Sequence, residues 1–152
     1  MQKAAGFTPF VALQNLVNLA AERERLPYCQ SVGVAVVPWS PIARGFLAGN
    51  KPKEGEKTNR AKIDKTGHLF GSKQDYAILD RVQAVADQLG TSPAQVAYAW
   101  VLQHQSVTAP IVGATKLHQL EEAIASMDVK LSAAQVKRLE AAYKPRAIIG
   151  HS

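Results

Sequence analysis

Three short clusters hold the residues best suited to chemistry in this sequence. They are Gln14-Asn15, Trp39-Ser40-Pro41 running on to Arg44-Gly45, and Gly113-Ala114-Thr115-Lys116. Each follows an apolar run. Ser40 to Gly45 offers a hydroxyl, backbone N–H groups and a guanidinium, a donor set suited to phosphate oxygens. Gly113 to Lys116 precedes a predicted helix, whose first N–H groups and dipole favour an anion. Trp39 has a flat face that can stack on an aromatic ring. Plainer readings stand beside these. A lone Trp at a strand end is more often core, a glycine before a helix often marks only a tight turn, and SPxxxG alone is weak. No P-loop and no GxGxxG follows a strand, which argues against a standard mononucleotide or Rossmann site.

The elements that must position these clusters follow from the apolar pattern. Phe10 to Leu13 reads as a short buried strand with Gln14-Asn15 as its polar tip. Residues 20–31 read as a short charged helix, with Pro27 near its start or breaking it. Val32 to Trp39 is β-branched and apolar at nearly every position, the pattern of a parallel strand covered on both faces. Residues 48–74 are rich in Gly and Lys, with Glu54, Glu56 and Asp64 interspersed, and predict a long solvated mobile loop. Helical spacing of Ile78, Leu79, Val82, Val85, Ala86 and Leu89 predicts a helix over 75–89, ended by Gly90. Ser92-Pro93-Ala94-Gln95 is a capping box with proline at the first helical position, and the helix it opens sets Val96, Ala99, Trp100 and Gln103 along one side. Val107 to Gly113 reads as a third strand, Leu117 to Met127 as an amphipathic helix, and Ser132 to about Ala142 as a last capped helix.

Alternating strands and helices imply a parallel α/β architecture, in which functional residues gather at the carboxyl ends of the strands. All three clusters would then share one rim. Three strands cannot close a barrel and would leave sheet edges unpaired.

The 152 residues suffice for one domain with a real core. A net charge of +6 suits an anionic partner, whether nucleic acid, membrane surface or phosphorylated cofactor. No aromatic or Arg interleaving marks a base-stacking surface, so no nucleic-acid partner is expected. No stretch approaches the ~20 apolar residues of a membrane span, so no membrane partner is expected either. Cys29 is the only cysteine, which excludes an intrachain disulfide and a Cys-rich zinc site. With no signal-like core at the N-terminus, a cytoplasmic location is expected.

The ordered motifs QN…NL…ER…LPYC…GVAVVPWSPIARGFLAGN, SPAQVAYAWVLQH, PIVGATKLHQLEEAI and LSAAQVKRLEAAYKPR resemble the C-terminal part of the aldo-keto reductases across residues 1–152. The closing Tyr143-Lys144-Pro145-Arg146 and Gly150-His151 resemble the aryl-alcohol-dehydrogenase-like branch. The resemblance implies a partial TIM-type (β/α)8 barrel, strands six to eight with their helices. It implies an NADPH-dependent oxidoreductase that reduces aldehydes and ketones to alcohols by hydride transfer, with a small carbonyl substrate in the intact enzyme. It also implies roles. Gln14 matches the glutamine that hydrogen-bonds the nicotinamide carboxamide, and Trp39 the position whose ring stacks on the nicotinamide. Ser40, Ile42 and Arg44 match the loop that clasps the pyrophosphate. Gly113, Ala114, Thr115 and Lys116 match the turn near the adenosine ribose and its 2′-phosphate. Gln119 and Glu122 match helix positions near the phosphate and adenine. Lys116 and Arg44 favour NADPH over NADH.

Departures are Ala123 where asparagine is usual, Val17 where tyrosine is frequent, and a loop between Asn18 and Cys29 about three residues short by the resemblance. The family's catalytic Asp, Tyr, Lys and His fall in the barrel's first half, and no residue here takes their place. A truncated, cofactor-clasping chain with no activity alone is therefore expected, self-associating through exposed sheet edges. The alternative is a non-catalytic nucleotide- or partner-binding module derived from the same fold.

Overall fold

The computed structural model describes residues 5–21, 25–49 and 69–145. Strands β1 (Ala12–Leu16) and β2 (Ala35–Trp39) form a two-stranded parallel sheet, connected through helix α1 (Arg25–Val32). Two short 3-10 turns span Ala43–Ala48. Then come α2 (Lys73–Leu89), α3 (Pro93–Leu102), α4 (Leu117–Ala125), a 3-10 turn at Ser126–Asp128, and α5 (Ala133–Glu140). Of the predicted 48–74 loop, residues 50–68 lie outside the described residues, as do Arg146, Gly150 and His151 of the closing motif. Among the described residues no helix is long and apolar enough to cross a membrane.

Several expected boundaries move. β1 starts at Ala12 rather than Phe10, and Phe10 and Val11 are exposed rather than buried. An apolar run marks a buried strand only where neighbours cover it, and none of the described residues covers these two. The charged helix begins at Arg25, so Pro27 sits in its first turn, where the missing N–H costs no helical bond. Val32 ends that helix instead of starting a strand. Gly33 then takes a left-handed φ of 69°, a conformation glycine adopts without a Cβ clash. Leu13, Asn15, Val36 and Pro38 occupy one face of the sheet, of which Asn15, Val36 and Pro38 are buried. Ala35, Val37 and Trp39 on the other face are half-buried, so β2 is not covered equally on both sides.

The expected third strand is the largest departure. Val36 donates to Ser106 O (3.1 Å) and accepts from Thr108 N (2.9 Å), which leaves one parallel bridge between Val36 and Val107. The next rung would need N–H groups from Pro38 and Pro110, and proline has none. Ile111 N donates to Pro38 O instead, at 2.7 Å, one residue out of step. The segment therefore lies along β2 at a strand's place without a strand's continuous ladder.

One core cluster joins Val36 to Val17 and Leu19 after β1, to Ile78, Val82 and Val85 of α2, and to Val96 and Trp100 of α3. Both predicted capping boxes form: Ser92 Oγ accepts from Gln95 N, and Ser132 Oγ from Gln135 N. A third, Ser72 with Asp75, starts α2 at Lys73, two residues earlier than expected. Gln103 pins the chain before α5: its Nε2 donates to Leu131 O (3.1 Å) and its Oε1 accepts from Leu131 N (2.8 Å).

Candidate functional site

β1, β2 and the 106–111 segment run parallel, so the chain leaves all three at the same end of the sheet. The register pairs Gln14 with Val37 and Leu16 with Trp39. Paired residues of a parallel ladder share a face, and side chains alternate along a strand. Gln14 and Trp39 therefore stand on the same face, the one that α2 and α3 do not cover, and Gln14 is exposed there. A face with an amide beside an indole can hold a flat heteroaromatic amide by stacking plus hydrogen bonds.

The loop leaving β2 holds every left-handed non-glycine backbone among the described residues. Ser40 (φ 53°), Ala43 (φ 50°) and Arg44 (φ 59°) are all left-handed, and Gly45 follows at φ 93°. For residues with a Cβ this conformation costs on the order of 1–2 kcal/mol each. Such strain persists only where the surroundings hold it in place, and it clusters at functional sites. The anchors are visible. Ala43, Phe46 and Leu47 are buried in the core, and the Phe46 ring meets the Tyr76 ring edge-on at 5.3 Å and stacks with Phe70 at 6.4 Å. From the other side, Asn18 Nδ2 donates to Ser40 O at 2.9 Å. Ser40, Ile42 and Arg44 remain half-buried at the surface of this anchored loop.

Gly113, Ala114, Thr115 and Lys116 are all exposed, one turn beyond Ile111, which hydrogen-bonds beside Trp39 at Pro38. Gln119 reaches back from α4: its Oε1 accepts from Thr115 N (2.9 Å), Thr115 Oγ1 (3.2 Å) and Lys116 N (3.2 Å). Those donors are thus engaged by Gln119. Glu122 is half-buried, and its negative charge reaches Tyr98 of α3. The Tyr98 hydroxyl is pushed above its ordinary 10.0, by burial first and by Glu122 second. A Cβ at Gly113 would meet nothing within 4 Å, and its φ is not left-handed. Nothing among the described residues requires glycine there.

Two further amides lie beside the set given roles: Asn15, expected at the strand's polar tip but without a role, and Asn18, which no expectation included. Asn18 is fully buried, and Asn15 accepts from Leu16 N (2.9 Å) and Arg25 Nη1 (3.0 Å) through Oδ1. Asn15 Nδ2 has no hydrogen-bond partner among the described residues. The available signal was three side-chain amides, Gln14, Asn15 and Asn18, within five residues of a strand end. None of the four tyrosines belongs to a strand or the loop leaving it: Tyr28 is in α1, Tyr76 in α2, where its ring meets Phe46 of the β2 loop, Tyr98 in α3 and Tyr143 after α5. No cluster of His, Cys, Asp and Glu among the described residues could hold a metal ion.

The sequence model of the Aldo/keto reductase family matches residues 1–144. Versiconal hemiacetal acetate reductase of Aspergillus parasiticus is 43% identical over 94% of this chain and 43% of its own length. An aldo-keto reductase of Fusarium vanettenii is 36% identical over 98% of this chain and 41% of its own length. A Schizosaccharomyces pombe sequence named for aryl-alcohol dehydrogenase is 40% identical over 95% of this chain and 42% of its own. This chain thus spans less than half the length of these curated relatives. The crystal structure of a thermostable aldo-keto reductase with the inhibitor epalrestat matches at TM-score 0.64 and 22% identity, over 93% of this chain and 44% of that one. That likeness concerns the fold, and it accounts for a two-stranded parallel sheet with helices as part of a barrel. With motifs, fold and family match in agreement along nearly the whole chain, it belongs to the aldo/keto reductase family.

Proposed function

We propose that this chain forms the cofactor-holding part of an NADPH-dependent aldo-keto reductase that acts on small aldehydes or ketones. The observation that carries the reading is the strained, doubly anchored Ser40–Gly45 loop at the carboxyl end of β2. The side-chain donors fit a dinucleotide phosphate: the Ser40 hydroxyl and the Arg44 guanidinium stand on one anchored turn, whose Ala43, Gly45 and Leu47 N–H groups are engaged within the loop. Rigid donors lose little entropy when an anion docks. Gln14 and Trp39 on a shared face would hold the nicotinamide ring and its carboxamide. Gly113 to Lys116 would receive the adenosine ribose and 2′-phosphate, with the Lys116 ammonium supplying charge. Gln119, having tied up the Thr115 and Lys116 N–H groups, would meet the phosphate through its own amide nitrogen, with Glu122 further toward the adenine.

The bound cofactor would supply the hydride for carbonyl reduction. The chain's contribution is to fix the ring and phosphates so that one ring face is presented in a defined direction. Carbonyl reduction also needs a proton donor within hydrogen-bond reach of the carbonyl oxygen. All four tyrosines belong to helices or follow one, and none to a strand or the loop leaving it, so we assign no catalytic residue to this chain. By itself it holds cofactor and does not reduce carbonyls.

The test compares NADPH oxidation with an aromatic aldehyde by this chain and by the same chain extended with the first five strands of a relative. Turnover is expected only in the extended protein. Turnover by the short chain at rates ordinary for an intact enzyme would contradict the proposal.

A further inference from the structure

We infer that Asn18 is the positioning residue of the Ser40–Gly45 loop: one buried amide locks both the turn after β1 and the strained turn after β2. The inference rests on the cofactor-holding reading for its functional consequence, though not for its geometry. Asn18 is fully buried, in a run from Val17 to Ala21 that is buried throughout, which is unusual for a connection between strand and helix. Both ends of its amide are committed. Oδ1 accepts from Ala20 N at 2.9 Å, while backbone bonds with Ala21 (3.4 and 3.2 Å) close the local turn. Nδ2 crosses 22 residues of sequence to Ser40 O at 2.9 Å.

The target of that bond matters. Ser40 O also accepts from Ala43 N at 2.9 Å, the bond that closes the left-handed turn, and the next links are Gly45 N and Leu47 N to Ile42 O, at 3.0 and 3.2 Å. Asn18 therefore grips the carbonyl on which the strained turn is hinged. Fixing that peptide plane constrains ψ at Ser40 on one side and, through the ring-locked φ of Pro41, the course of the loop on the other. Only asparagine fits both tasks. Aspartate has no donor, serine is too short to span both partners, and glutamine would move the acceptor away from Ala20.

The consequence is selective. Loss of the Nδ2 donor should loosen Ser40–Leu47 without disturbing α2 or the Gly113–Lys116 turn. For Asn18→Asp and Asn18→Ser, amide exchange at Ala43, Gly45 and Leu47 should quicken by about tenfold, the scale of one lost hydrogen bond, while Val82 and Val85 in α2 keep their protection. NADPH affinity should fall by about the same factor, while adenosine 2′-monophosphate, which has no pyrophosphate, should bind as before. In the unaltered protein the Asn18 side-chain NH2 protons should themselves exchange slowly, a reading that needs no variant.

Unchanged exchange at Ala43, Gly45 and Leu47, or a freely exchanging Asn18 amide, would overturn the inference. So would an equal loss of both ligands, because that reports general weakening rather than loop positioning. If the unaltered chain does not bind NADPH at all, the cofactor reading fails, while the exchange measurements still decide the role of Asn18.

Discussion

At the residue scale, Arg44 separates two effects that usually travel together. Its guanidinium is the proposed phosphate donor of the β2 loop, and its backbone is left-handed at φ 59°. Arg44→Ala removes the charge and keeps the strain; Arg44→Gly removes both. Both variants should weaken NADPH binding about 10- to 100-fold, as expected for a charge-assisted hydrogen bond. The glycine variant should be the more stable of the pair by about 1 kcal/mol, because glycine takes positive φ without a Cβ clash. Urea titrations beside NADPH titrations check this, and equal stability of the two variants would mean the loop is not strained at Arg44. This site was partly legible beforehand. SPIARG suggested phosphate donors through residue types alone, and that reading stays a proposal, whereas positive φ at Ser40, Ala43 and Arg44 left no trace, since none of these is a residue that advertises it.

At the element scale, local rules carried well and long-range ones did not. Ser92 and Ser132 were read as caps from four-residue patterns because the bonds involved are four residues long. The failed third strand depended on Pro38 facing Pro110, a coincidence of register between segments 72 residues apart that periodicity does not report. Packing of α3 on α4 supplies a pH prediction. Burial, and then the charge of Glu122, hold the Tyr98 hydroxyl above its ordinary 10.0, so the unfolded chain releases that proton first as pH climbs. The stabilising contribution is therefore complete below about pH 10 and is lost as pH rises through the folded value. Tyr98→Phe should flatten the fall in stability above about pH 10, measured by chemical denaturation; a slope equal to that of the unaltered protein would assign the fall to other groups.

At the scale of the whole molecule, apolar surface lies open along a helical stripe and at the start of β1. Leu117, Leu120, Ile124 and Met127 of α4 and the turn after it recur at three- and four-residue spacing and are all exposed, as are Phe10 and Val11. A helix normally turns such a stripe toward a core. The solved barrel continues well beyond the 44% that this chain matches, so in that fold more polypeptide is present to pack against these elements. The isolated chain should therefore self-associate, with an apparent mass in sedimentation velocity that rises with concentration. Ile124→Glu should lower that mass. A monomer unchanged across the concentration range would mean the stripe is tolerated in water.

The central claim is that this chain alone holds the dinucleotide. It is met most directly by titrating the isolated chain with NADPH and following nicotinamide fluorescence, in parallel with Arg44→Ala. The account predicts saturable one-to-one binding, with enhanced emission as the ring is taken up beside Trp39, and a shift of the Arg44→Ala curve to about 10- to 100-fold higher concentration. A linear, unsaturable response, or identical curves for the two proteins, would contradict it.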